Sequence, residues 1–173
     1  MLLKLTGSIL TVFASTMIGN LYARKLSGRP AELRELQGML RMFETQLCYL
    51  SSILADAFFE ISKSSKSPVS AIFYDASRIL KREKSITAAE AWKKSVEANI
   101  NNTSLNSEDK NVLISFGSSL GNTDLEGQIK NIRFTVEQLK IQEGKAEEKR
   151  RKNEALYRNL GFFGGLAAVI ILL

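Results

Sequence analysis

The sequence predicts an all-α protein, a soluble helical bundle held between two membrane helices. Three observations carry that prediction. Leu5 to Ala23 and Asn159 to Leu173 are free of charge, whereas the residues between them are charged and amphipathic. Leu33, Leu36, Leu40, Phe43, Leu47, Leu50, Leu54, Ala57 and Ile61 alternate spacings of three and four, a heptad seam. Two prolines and 11 glycines in 173 residues leave little material for the many turns of a β-rich fold.

The first apolar run is about 19 residues long and spans about 28 Å as a helix, close to the hydrocarbon thickness of a bilayer. A cleaved signal peptide has its basic residues before the apolar run. Here Lys4 stands alone in front, and the stronger cluster of Arg24, Lys25 and Arg29 comes after. A buried soluble helix is seldom this long without a charge. The run is therefore expected to be a retained transmembrane helix. The last run reaches about 22 Å, so it needs local thinning of the bilayer or the snorkelling of Arg158 to span. The alternative is a helix partly inserted or packed on the first span. Gly161, Gly164 and Gly165 give it a small-residue face for close helix approach. Arg24, Lys25 and Arg29 follow the first span; Lys149, Arg150, Arg151, Lys152 and Arg158 precede the second. Both clusters flank the middle region, which places it in the cytoplasm. The expected division is residues 1–24 as a transmembrane helix, 25–157 as a cytoplasmic bundle with a charged stalk, and 158–173 as a second transmembrane helix.

Within the middle region, Pro30 suits the first turn of a helix, where its missing N–H is not needed. The seam predicts one long helix from Pro30 to Ile61, packed within the bundle or, over part of its length, in a coiled coil with a second chain. Lys63 to Ser67 is a polar linker, and Ser67-Pro68 reads as a cap opening the next helix. That helix buries Val69, Ile72, Phe73, Ala76, Ile79 and Leu80. Thr87 and Glu90 form a capping box before a shorter helix that carries Trp92 as a core anchor. Asn99 to Asn106 is a polar loop. Ser107 caps a fourth helix with Val112, Leu113, Phe116 and Leu120 inside, and Glu108 and Asp109 complement its dipole. Gly121 and Asn122 end it. Thr123 and Glu126 make a second capping box, and the final helix continues a seam of Leu125, Ile129, Ile132, Val136 and Leu139. Beyond Gln142 that seam turns polar. With no proline or turn signal between Asp124 and Asn159, the helix is expected to run on as a stalk into the second span.

Chemistry is sparse. The chain has no histidine, which excludes Ser-His and Cys-His nucleophile pairs. With the single Cys48 it also leaves no ligands for a structural zinc site or an internal disulfide. No phosphate-cradling loop is present: Gly161-Phe-Phe-Gly-Gly165 has glycines but no lysine. Glu32, Glu35, Glu44 and Asp56 lie off the apolar seam. An enzyme is not expected, and neither is a cofactor. The formal charge of +6 sits mainly beside the two spans, where it suits anionic lipid headgroups better than nucleic acid. Phe116-Gly117-x-x-Leu120-Gly121 places two glycines four apart near a helix end. A glycine inside a helix costs about 1 kcal/mol relative to alanine, so close approach of another backbone is implied. That approach is either a contact within the bundle or a docking surface.

Several of these features occur together in one family. Arg24 to Leu36 (RKLSGRPAELREL), Ala91-Trp92, Phe116-Gly117-x-x-Leu120-Gly121-x-x-Asp124-x-x-x-Gln128 and the Gly161 to Leu173 ending resemble stage III sporulation protein AB over essentially the whole chain. The chain departs from many relatives after the long helix, where it has Ser67-Pro68-Val69 in place of a second proline-rich or aromatic patch. The resemblance implies an antiparallel bundle of about six helices, against five read from the residues. It implies similarity to the inner-membrane platform proteins of type II secretion and type IV pilus systems. It also implies a part in the channel between mother cell and forespore, with the middle domain facing the mother-cell cytoplasm. The implied partners are a secretion-type ATPase, stage III sporulation protein AA, and the other channel subunits. Candidate contacts are Glu32, Arg34, Glu35, Phe116, Gly117, Leu120, Gly121 and Asp124. Two other readings compete: a protein that binds anionic lipid surfaces through Arg24, Lys25, Arg29, Arg150, Arg151, Lys152 and Arg158, and a homo-oligomeric scaffold built on the Leu33 to Ile61 seam.

Overall fold

The computed structural model describes Met17 and residues 28–50, 54–83, 85–121 and 124–172; beyond residue 153 it describes the side chains of Leu156 and Phe163. Six α-helices lie among these residues: α1 (Gly28–Leu50), α2 (Leu54–Ser62), α3 (Ser70–Arg82), α4 (Ala88–Asn99), α5 (Ser107–Ser118) and α6 (Leu125–Leu172), with a 3-10 turn at Ile100–Asn102. No strand occurs among the described residues. Arg29–Gly144 forms one compact unit. Of the second unit, the described residues other than Met17 and Gly28 belong to the part of α6 from Lys145 onward.

Successive helices of the first unit pack in order: α2 on α3, α3 on α4 and α4 on α5. Short hydroxyl side chains stitch these contacts. Ser77 Oγ donates to the Ala55 carbonyl at 2.6 Å, and Ser95 Oγ to the Ile72 carbonyl at 2.5 Å. α1 and α6 run antiparallel, since Arg34 pairs with Glu143 while Glu44 pairs with Arg133.

The core follows the seams. Leu33, Leu36, Leu40 and Phe43 of α1 have no exposed surface, and Ile132, Val136 and Leu139 of α6 are buried. Because one chain already covers that part of the α1 seam, it is not free for a coiled coil with a second copy. The residues that would join α1 to α2, 51–53, lie outside those described, and so does the continuity of the long helix expected there. Trp92 is the hub of an aromatic cluster, with Phe73, Phe116 and Phe58 at 5.0, 5.2 and 5.3 Å between centroids. Its indole N–H donates to the Leu113 carbonyl at 2.7 Å. The aromatic neighbours come from three other helices, α2, α3 and α5.

The helix starts differ in detail from the sequence reading. Thr87 and Glu90 do form a reciprocal capping box. The α5 cap is Asn106, not Ser107, boxed with Asp109. α3 has no side-chain cap; its first turn is built from 3-10-like bonds onto the Ser67, Pro68 and Val69 carbonyls. Proline at 68 cannot donate an N–H, so the tighter turn uses its carbonyl instead. At α6 the cap is Asp124, whose Oδ1 accepts from the Gly127 N–H at 3.0 Å. Thr123 lies outside the described residues.

Among the described residues no helix is long and apolar enough to cross a membrane. The first expected span lies outside them except for Met17, and the second span's side chains do too, except for Phe163.

Candidate interaction site

The two groups of expected contact residues have different fates. Glu32 was expected on a solvated face, but it is 7% exposed. Its carboxylate accepts from the Ser104 N–H at 2.7 Å and the Ser104 hydroxyl at 3.0 Å, fixing the loop before α5 onto α1. A carboxylate can take two donors at once, and this one is used for internal structure. Arg34 and Glu35 are exposed. Arg34 reaches across to Glu143, which also accepts from Gln37 Nε2 at 2.8 Å. Glu143 thus bridges α6 to α1.

Phe116, Gly117 and Leu120 are buried. Gly117 faces the Trp92 indole, and a Cβ added there would collide with Cδ1 and lie 3.0 Å from Cγ. Gly117 thus serves a contact inside the bundle, and Phe116 and Leu120 are buried with it, which corrects the docking reading of these three residues. Gly121 has φ of +77°, the left-handed conformation that ends a helix at little cost for glycine. It and Asp124 are exposed.

One constellation escaped the sequence reading. Arg29, expected among the membrane-flanking cations, grips Asp109 in a two-pronged pair: Nε to Oδ2 at 2.7 Å and Nη2 to Oδ1 at 2.9 Å. Nη2 also donates to Gln142 Oε1 at 3.1 Å. Asp109 is fully buried and Arg29 is 17% exposed. Donation to the Asp109 carboxylate raises the Arg29 pKa further, against the opposing effect of burial. The same carboxylate caps α5 by accepting from the Asn106 N–H at 2.9 Å. One knot therefore holds the starts of α1 and α5 and the middle of α6. Asp109 at the third position of a capped helix was visible in sequence, but nothing local linked it to an arginine 80 residues away.

The other flanking cations that are described, Arg150, Arg151 and Lys152, lie along α6 and pair with Glu147 and Glu148 at helical spacings. Arg24 and Lys25, and the side chain of Arg158, lie outside the described residues. Phe134 and Ile141 stand exposed a heptad apart on α6, at 62% and 60%. Among the described residues no group of three or more His, Cys, Asp or Glu could hold a metal ion.

Comparison with known proteins now decides the family. The family model for stage III sporulation protein AB matches residues 4–173. The chain is 33% identical over 172 residues to stage III sporulation protein AB of Bacillus subtilis (strain 168), covering 99% of this chain and 100% of the relative. The chain belongs to the stage III sporulation protein AB family. A solved structure of a family member superposes with a TM-score of 0.68 at 30% identity, covering 72% of this chain and 98% of that one. Family membership assigns the chain to stage III of sporulation, and the helical bundle is the family's fold.

Proposed function

We propose that the chain is a non-enzymatic platform subunit of the channel between mother cell and forespore. Both ends anchor it in the membrane, and the helical domain faces the mother-cell cytoplasm. There it docks a secretion-type ATPase, stage III sporulation protein AA, and other channel subunits. In this reading it is the counterpart of the platform proteins of type II secretion and type IV pilus systems.

The observation that supports this most is the extent of the family match, which takes in both charge-free ends together with the bundle. Among its described residues the bundle is cross-braced by Glu32, Arg29 and Glu143, as suits a part that transmits force.

The test is calorimetry with the full-length chain in neutral-lipid nanodiscs and the ATPase from the same organism. Saturable binding at micromolar affinity or better is expected. Charge reversal at exposed Arg34 and Glu35 should weaken it without unfolding the bundle if α1 is the contact face. No binding by the folded chain rejects the ATPase as its direct partner.

A further inference from the structure

The face made by α2 and α3 carries a feature that the packing of the bundle does not use. A groove of about 360 Å³ opens there, lined by Phe59, Tyr74, Ser77, Arg78, Lys81 and Arg82. Two aromatic side chains line it: the Phe59 ring and the half-exposed Tyr74 ring lie 6.3 Å apart, tilted by 39°. Its rim is cationic. Lys81 Nζ is 5.0 Å from the Phe59 ring centroid, and Lys63 Nζ, just beyond α2, is 4.1 Å from it.

The rim charges are loosely held. Lys63 pairs with Glu60 at 2.9 Å, Lys81 with Asp56 at 2.7 Å and Arg78 with Asp75 at 3.1 Å. All three cations are exposed, and ion pairs of this kind contribute little and exchange partners readily. Arg82 is exposed and makes no ion pair among the described residues.

We propose that this groove docks an acidic segment of a partner protein. One apolar or aromatic side chain of that segment seats against Phe59 and Tyr74, and its flanking carboxylates replace Glu60, Asp56 and Asp75 on the rim. The inference rests on the reading of the chain as a docking subunit and names the chemistry of one docking surface. Charge complementarity selects an acidic ligand, and a groove between two helices selects a projecting peptide side chain over a bilayer. A lipid surface is met by protruding side chains, whereas a hollow between two helices accepts a projecting one. Arginine and aromatic residues together are also the residue types that anchor protein interfaces.

The experiment uses the full-length chain in phosphatidylcholine nanodiscs, with empty discs as control. The probes are 12-residue peptides with one central Phe or Leu flanked by Glu, and the same peptides with every Glu replaced by Gln. Saturable binding of the Glu series is expected, at least tenfold tighter than the Gln series. The double variant Lys81→Glu/Arg82→Glu should lose at least tenfold. Tyr74→Ala should weaken binding with the charges intact, and Arg82→Lys should keep most of it. Both positions are exposed, so an unchanged thermal melt verifies folding. Absent binding, or binding indifferent to the double variant, overturns the proposal. So does attachment to phosphatidylglycerol vesicles that the double variant abolishes while no peptide binds. The ATPase gives a separate readout. Peptide binding without ATPase binding rejects the ATPase and retains the groove. ATPase binding that survives the double variant, with peptides unbound, rejects the groove and retains the ATPase.

Discussion

The five-membered ring of the Trp92 indole packs against the bare backbone of Gly117, so α4 approaches α5 more closely than any side chain at 117 would allow. The ring cannot step aside, because its N–H is tied to the Leu113 carbonyl at 2.7 Å and three phenylalanines surround it. Gly117→Ala gains about 1 kcal/mol of helix propensity and loses about 1–3 kcal/mol or more to overpacking. A net destabilisation of up to about 2 kcal/mol is expected in urea unfolding, and more for Gly117→Val. Trp92→Ala removes the clashing Cγ and Cδ1, so adding Gly117→Ala to it should leave a double variant more stable than the sum of the two single changes. Simple additivity would mean that the close approach is not what keeps glycine at 117.

The Arg29–Asp109 pair gives a larger effect. Removing one partner of a buried pair leaves a charge without compensation, which costs about 3–5 kcal/mol. Asp109→Ala is expected in that range, because it also deletes the carboxylate half of the α5 capping box. Asp109→Asn keeps an acceptor for the Asn106 N–H and should cost less. An apolar pair, Arg29→Met with Asp109→Leu, should be milder than either ionic partner left alone. Equilibrium unfolding of these three variants and of Arg29→Met alone reads this directly.

At the start of α4, hydrogen bonds from the Thr87 backbone and side chain, helped by the charge of Lys94, hold the Glu90 carboxyl below its ordinary pKa of 4.5. A carboxylate whose folded pKa is depressed stabilises the fold fully above its unfolded value, and that contribution is lost as pH falls through the folded one. Glu90→Gln keeps the capping geometry and removes the charge. The variant should melt below the native chain at pH 7, and the gap should narrow below about pH 4.5 and close in stronger acid. A gap that persists at pH 2 would assign the effect to geometry, not charge.

Cys48 gives a direct test of topology. It is the chain's single cysteine and is exposed near the end of α1. With the helical domain in the mother-cell cytoplasm, a membrane-impermeant maleimide should not label it in intact cells and should label it after permeabilisation. Labelling in intact cells reverses the orientation drawn from the basic clusters.

Much of this architecture was legible because its causes are local. Periodic leucines, the Thr87 box and the positive φ of Gly121 are set within a turn or two of chain. What escaped was set by tertiary contact. Glu32 and Glu35 are three residues apart and look alike in sequence, yet one is buried under Ser104 and the other is exposed. Arg29 reads as a membrane-flanking cation until α5 brings Asp109 beside it. Gly117 carried an open choice between internal packing and docking, and only the position of Trp92 resolves it. Cap positions slipped by one residue at Asn106 because neighbouring polar residues compete for the same role.

Gly144 tests the mechanical reading of α6. The helix is assigned from Leu125 to Leu172, so the backbone passes through Gly144 without a break. An added Cβ there would meet nothing within 4 Å. Gly144→Ala should therefore be accommodated and should stiffen the helix by about 0.5–1 kcal/mol. Gly144→Pro removes a backbone donor and costs about 3 kcal/mol inside a helix. If α6 carries motion between bundle and membrane, Gly144→Ala should sporulate normally, and Gly144→Pro should fail while its protein still accumulates. Amide exchange across residues 140–150 supplies the physical readout: protection should be continuous in the native chain, higher in Gly144→Ala and broken in Gly144→Pro. Rapid exchange centred on Gly144 in the native chain, with Gly144→Ala defective in sporulation, would mark the position as a working hinge and replace the rigid stalk with a flexible one.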